Sequence, residues 1–364
     1  MKEPLRSKLR AIAHSPELFL RDLAPLEDSA VLSPMSEASY RASSFLDNRL
    51  VRAGDRDFGI PIPVLRRLLD AQGARPRPIH WLFHVGHCGS TLISRLLGEI
   101  DGLFVLREPA VVMGLTRSGR RLDEPGFPIT RERWEMLKDL ALTLLGRTWR
   151  ATDTALVKAT SDAVNLAPIL LDAHAGARAL LLYVDLETFL ATMLRQHTRR
   201  ELRLFAREFR IADFHRLART APADVEAYPA GRLAAVAWLL HVRQMARLLD
   251  DPALAPRTLA LSFDDYLGAP AASLLGMAEF LGYPQTSEAV DSLLTDDAAS
   301  AYAKDPARPY DAARRADELA ATRAAHRAEI EDALAWVDGL AGTIPAFAGL
   351  PARFSGAREP RAPS

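Results

Sequence analysis

Two glycines, two hydroxyls, an imidazole and a thiol fall within six consecutive residues, Gly86-His87-Cys88-Gly89-Ser90-Thr91. A run of this kind does chemistry on an anion when it joins a strand to a helix, because the free amides of a helix start and the nearby hydroxyls aim their donors at one place. The flanks fit that role. His80-Trp81-Leu82-Phe83-His84-Val85 is a short aromatic and apolar run, and the residues from Thr91 to Leu97 have helical periodicity. Against the nucleotide-binding pattern G-x-x-x-x-G-K-[ST], Gly89 takes the final glycine, Ser90 stands where the lysine belongs and Thr91 takes the last hydroxyl, while His84 occupies the first glycine position. The lysine that grips β- and γ-phosphates is missing, which argues against ATP or GTP hydrolysis and leaves kinase-like use of ATP as a third-ranked reading.

Two other chemistries are excluded by spacing. In the H-C-x-x-G-x-x-R loop of cysteine phosphatases the arginine follows the cysteine by six residues, whereas Arg95 follows Cys88 by seven and Gly89 is adjacent to the thiol. His80, His84, His87 and Cys88 do not make a zinc site, because residues 80 and 84 of one strand lie roughly 13 Å apart at ~3.3 Å per residue. No metal is expected. Outside the loop, Glu108 in Arg107-Glu108-Pro109 is a candidate general base, or else a structural partner of Arg107 or another cation. Lys158, one of only five lysines among 46 basic residues, closes a third apolar run and is a candidate charge clamp. Arg199, Arg203, Arg207 and Arg210 are spaced along one helix stripe and read as a solvated face, and Trp238 reads as core.

The elements that must position these residues alternate. Short apolar runs at 80–85, 103–106, 154–157, 179–184 and 258–263 are separated by helical patterns, which predicts an α/β fold with a parallel sheet flanked by helices. Residues 1–79 read as an N-terminal helical cap broken by Pro16, Pro25, Pro34, Pro61 and Pro63. The α/β domain spans 80–285 with a helical insert at about 190–249. A C-terminal helical region covers 286–350, including a long helix from about Asp311 to Leu340, and 351–364 is expected to be a flexible tail.

Three stretches in chain order resemble the sulfotransferase family, bacterial members included, over about residues 80–282. Gly89-Ser90-Thr91-Leu92-Ile93-Ser94-Arg95-Leu96-Leu97 is similar to that family's loop for the donor's 5′-phosphosulfate, with His87 at the basic position and Cys88 at a serine position. Arg107-Glu108-Pro109 is similar to a Glu-Pro found after the next strand. Ser262-Phe263-Asp264-Asp265-Tyr266-Leu267, then Pro270 and Glu279-Phe280-Leu281-Gly282, looks like the family's last strand and following helix. The resemblance implies a P-loop-type sheet and transfer of a sulfuryl group from 3′-phosphoadenosine 5′-phosphosulfate to a hydroxyl or amine of a small-molecule or carbohydrate-like acceptor.

Carried over residue by residue, it implies a donor site of Gly86, His87, Cys88, Gly89, Ser90 and Thr91, with His87, Glu108 and Lys158 catalytic. The family's arginine and serine for the 3′-phosphate fall on Val184 and Thr192, so Arg195, one turn beyond Thr192, and Lys304 in a C-terminal loop are the expected substitutes. The loss of that arginine and of the loop lysine leaves an alternative, a nucleotide-binding relative that kept the cradle and lost the chemistry.

Composition narrows the setting. Equal numbers of acidic and basic residues, 46 each, remove the basic field that nucleic acid or an anionic membrane would require. Hydrophobic residues at 49% and charged residues at 25% are globular values. A single cysteine fits a reducing compartment, and the charged stretch from Met1 to Leu20 lacks the apolar core of a signal peptide, so a cytoplasmic protein is expected. The weight of arginine and alanine is typical of a GC-rich bacterial genome. Oligomeric state leaves no mark in the sequence.

Overall fold

The computed structural model describes residues 3–51, 56–221, 224–295 and 312–355. Five parallel strands form the main sheet: β4 (Ile79–His84), β5 (Leu103–Arg107), β6 (Thr154–Lys158), β7 (Ala179–Tyr183) and β8 (Thr258–Ser262), in the order β5-β6-β4-β7-β8. Each predicted apolar run is a strand, displaced by at most one residue at either end. The reason is elementary: every residue of β4, β5 and β7 is buried, and a strand covered on both faces is predominantly apolar, here interrupted only by His80, His84 and Arg107. The fold is therefore α/β, with helices on the parallel sheet.

β4 is central, and the chain leaves it toward β5 on one side before crossing to β7 on the other. The connections thus diverge beside β4, and in open α/β sheets the crevice at such a point, outside the carboxyl ends of the strands, is where ligands bind. Because all five strands are parallel, the residues that follow them, Val85, Glu108, Ala159, Val184 and Phe263, lie along one edge of the sheet.

The described residues of 3–79 hold three helices, Glu3–Arg10, Glu37–Ala42 and Ile62–Ala71, and also an antiparallel sheet of β1 (Leu18–Ala24), β2 (Ser29–Pro34) and β3 (Phe58–Pro61). The segment is therefore not the all-helical cap expected: the strands were read as helix because they are short and bounded by the prolines taken as helix breaks. β1 packs on the helices Ala110–Arg120 and Arg131–Leu145. Buried Arg147 ties this segment to the α/β core by donating to the carbonyls of Ile12 at 2.8 Å, Ser15 at 2.9 Å and Leu18 at 2.7 Å.

The insert is helical, ending in Ala230–Asp250, whose Trp238 is fully buried and donates to the Val184 carbonyl at 2.9 Å. The expected long C-terminal helix is two, Ala312–Ala325 and Arg327–Thr343, which meet at His326 with φ −118° and ψ 24°. Most of the expected tail, 356–364, lies outside the described residues. Among the described residues no single helix is long and apolar enough to cross a membrane.

Candidate active site

The loop after β4 winds through left-handed backbone, with φ of +91° at Gly86, +51° at His87 and +76° at Gly89. Gly89 caps the helix Ser90–Leu97 without a side-chain bond, so the first-turn amides keep no intrahelical acceptor. Glycine is required at 89 for a second reason: a Cβ there would stand 2.0 Å from the ring of Phe263, the residue just after β8. Cys88 points inward, its thiol donating to the Leu182 carbonyl at 3.5 Å, and burial pushes the thiol up to about 12. A thiol held neutral in this way is no nucleophile, which adds a chemical reason to the spacing that argued against a phosphatase.

Neighbouring strands bring Glu108 and Lys158 together. Arg107 pairs in register with Lys158, and the Glu108 amide donates to the Lys158 carbonyl at 2.7 Å. Glu108 has φ +50°, so His87 and Glu108 are two of the four non-glycine residues with positive φ among the described residues. Such backbone costs of order 1–3 kcal/mol and persists where the surroundings impose it, often at functional sites. Lys158, 1% exposed, donates to Glu108 Oε1. Arg107, the other candidate partner, turns away to cap the helix Glu37–Ala42, donating to the carbonyls of Tyr40, Arg41 and Ser43. Phe45 walls the pair, its ring 5.4 Å from Lys158 Nζ and 3.7 Å from the Arg49 guanidinium.

A buried group beneath the loop was missed by sequence reasoning. Arg210 holds Asp162 by a two-point bond of 3.1 and 2.8 Å, and His241 bridges Asp162 Oδ1 at 3.1 Å and the Val85 carbonyl at 3.2 Å. The Arg210 and His241 partners hold the Asp162 carboxyl far below the usual carboxylate range against the opposing effect of burial. Arg210 thus departs from the solvated stripe: Arg199, Arg203 and Arg207 pair with Glu329 and Glu226 near the surface, whereas the π-turn Ala206–Arg210 swings the fourth arginine inward. One signal was available. His241 directly follows the apolar run 233–240, where an isolated polar residue must find a buried partner.

The residues expected at the 3′ end of a donor are spread out. Thr192 donates its hydroxyl to the Thr188 carbonyl one turn back, at 2.9 Å, and Arg195 pairs with Glu318 at 3.0 Å while its Nε stays buried without a partner. Lys304 lies outside the described residues. Two further arginines arrive from the helix Ala312–Ala325. Arg323 donates to the Thr188 hydroxyl at 3.0 Å, and Arg315 sits 5.2 Å from the Phe263 ring while bonding Asp264 at 3.3 Å. Their i, i+4, i+8 spacing around buried Leu319 marks the inward face of that helix. Among the described residues no group of three His, Cys, Asp or Glu side chains could hold a metal ion.

No protein-family model and no curated protein matches the chain. Solved structures that resemble it include the sulfotransferase domain from the curacin biosynthetic pathway, 14% identical, covering 69% of this chain and 97% of that one with a TM-score of 0.40. Sulfotransferase STF9 from Mycobacterium avium is 13% identical, covering 72% and 79% with a TM-score of 0.40. Retinol dehydratase in complex with androsterone and the inactive cofactor PAP is 14% identical, covering 76% and 78% with a TM-score of 0.30.

Proposed function

We propose that the protein transfers a sulfuryl group from 3′-phosphoadenosine 5′-phosphosulfate to a nucleophilic acceptor. The observation that carries this reading is the meeting of an anion cradle with a carboxylate at one sheet edge. The cradle, at the start of the helix Ser90–Leu97, lacks the lysine of nucleotide-hydrolysing loops. The ends of β5 and β6 supply a half-buried carboxylate paired with a buried ammonium. In-line transfer between oxygens needs charge stabilisation and a proton acceptor more than covalent catalysis. The amides and hydroxyls of Gly89, Ser90 and Thr91 would hold the 5′-phosphosulfate. His87 and Lys158 would supply positive charge, and Glu108 would take the acceptor's proton. Arg195, paired with Glu318 of the helix that also carries Arg315 and Arg323, would meet the 3′-phosphate that Val184 cannot. A cytoplasmic setting suits the buried single thiol.

A second reading, a nucleotide-binding relative without chemistry, is favoured by the valine at 184 and the missing loop lysine. Thermal melts with 3′,5′-adenosine bisphosphate and with AMP separate the cases. A ligand at 100 times its dissociation constant adds roughly 2.7 kcal/mol, a shift of a few degrees for a chain of this size. The bisphosphate is expected to stabilise the protein well beyond AMP. Equal shifts would mean no 3′ pocket, and no shift from either would refute the donor assignment. Binding without transfer would leave the second reading.

A further inference from the structure

His84 ends β4 with its ring buried below the loop. Its Nδ1 accepts the Gly86 amide at 3.0 Å, so the ring proton belongs on Nε2. Burial, with the charges of Lys158, His241 and His87 around it, holds the ring well below its ordinary pKa and therefore neutral. Nε2–H makes no hydrogen bond of normal geometry: the Ala159 carbonyl faces the ring, and Glu108 Oε1 lies 3.8 Å from Nε2. That gap is too long for a bond. An oxygen atom set beside the two can bond to both, and a buried donor left unpaired costs about 1–3 kcal/mol.

We propose that His84 Nε2–H is a substrate-binding donor that holds the attacking oxygen of the acceptor against Glu108, and that the acceptor is therefore a hydroxyl and not an amine. The assignment rests on sulfuryl transfer being the reaction. An atom between His84 and Glu108 must accept a hydrogen bond from the first, donate one to the second, and still attack sulfur. A hydroxyl oxygen has two lone pairs, one for His84 Nε2–H and one for the attack. A neutral amine has one, and bonding it to His84 removes the nucleophile. An ammonium has none and would add positive charge beside Lys158. In the step itself the oxygen's second lone pair forms the new O–S bond. The bond from sulfur to the 5′-phosphate oxygen breaks, its electron pair leaving on adenosine bisphosphate, and the hydroxyl proton passes to the Glu108 carboxylate.

The test has two arms. Nitrogen-15 NMR of the histidine side chains, with His84 assigned by its loss in His84→Phe, should find an Nε2–H tautomer unchanged between pH 5.5 and 8. An Nδ1–H tautomer or an imidazolium overturns the proposal whatever the donor is. In the second arm, 3′-phosphoadenosine 5′-phosphosulfate is offered with matched alcohols and amines, such as 2-phenylethanol and 2-phenylethylamine. The alcohol should react about 10-fold faster or more, the worth of one hydrogen bond to a neutral donor. His84→Phe keeps the ring volume but also frees the Gly86 amide in the donor loop, so rates are compared at saturating donor, where the variant should lose about that factor on the alcohol. His84→Gln restores an N–H donor and should recover part of it. Equal rates on both acceptors, an unaffected His84→Phe, or bisphosphate binding with no acceptor used each overturn the assignment. Absence of any bisphosphate binding overturns the sulfuryl-transfer reading and this assignment together, so the two failures are told apart.

Discussion

Replacing Gly89 by alanine tests whether the loop's geometry is imposed by packing. Two costs add. Alanine at φ +76° is in the left-handed region, which disfavours an L-residue by roughly 1–2 kcal/mol. The new methyl would also lie 2.0, 2.2 and 2.4 Å from three atoms of the Phe263 ring. That ring cannot swing aside cheaply, since it is 1% exposed, stacked on Tyr266 at 5.6 Å and faced by Arg315 at 5.2 Å. Overpacking of this kind costs about 1–3 kcal/mol, so the total for Gly89→Ala is about 2–5 kcal/mol. Phe263→Ala alone should cost ~3–5 kcal/mol by leaving a cavity. In the double variant the methyl meets no ring, and only the backbone part of the Gly89→Ala cost should remain. Urea unfolding of the four proteins gives the cycle. A favourable coupling of roughly 1–3 kcal/mol is expected, and costs that add to within about 0.5 kcal/mol would refute the steric reasoning.

Three other outcomes are expected. Glu108→Gln should destabilise by about 3–5 kcal/mol by stranding buried Lys158, Lys158→Met by less because Glu108 stays partly exposed, and the double variant should be milder than the sum of its parts in urea unfolding. Strict additivity would mean that the pair is not coupled. Asp162→Asn should cost a similar ~3–5 kcal/mol by leaving Arg210 buried without its counter-charge, and amide exchange should quicken in the 85–89 loop as His241 loses its anchor. A loop with unchanged exchange would detach that group from the site. His80 accepts the Arg178 amide at 3.2 Å, and burial, helped by the Arg178 charge, holds its imidazole at about 4. Unfolded, it takes up a proton near 6.5, so between pH 6.5 and 4 the unfolded chain binds a proton that the folded one refuses. Acidification across that window should remove roughly 3 kcal/mol, a loss that His80→Gln should largely abolish. Parallel stability curves for the two proteins would exclude His80 as the source.

The sequence by itself determined the α/β class, the edges of the five parallel strands and the place of the loop. Fully buried strands are apolar along most of their length, and a glycine-hydroxyl run after the first of them, followed by helical periodicity, reads as a turn into a helix. It also picked out Glu108 and Lys158 singly, one by a Glu-Pro after a strand and one by the scarcity of lysine. Tertiary structure decided what they do to each other. Strand order, which leaves no local signature, set β5 beside β6 and so turned a candidate base and a candidate clamp into an ion pair, with Arg107 turned away to Tyr40, Arg41 and Ser43. Distance along the chain hid the rest. Asp162, Arg210 and His241 come from three elements separated by dozens of residues, and each alone is an ordinary polar side chain. His84 sat in plain view as a misfit at a glycine position, but only folding could show that its Nδ1 is occupied by Gly86 and that its Nε2 faces Glu108 without a hydrogen bond of normal geometry. A hydrogen bond between neighbours in sequence can be guessed from spacing, whereas an unpaired donor is a property of everything packed around it.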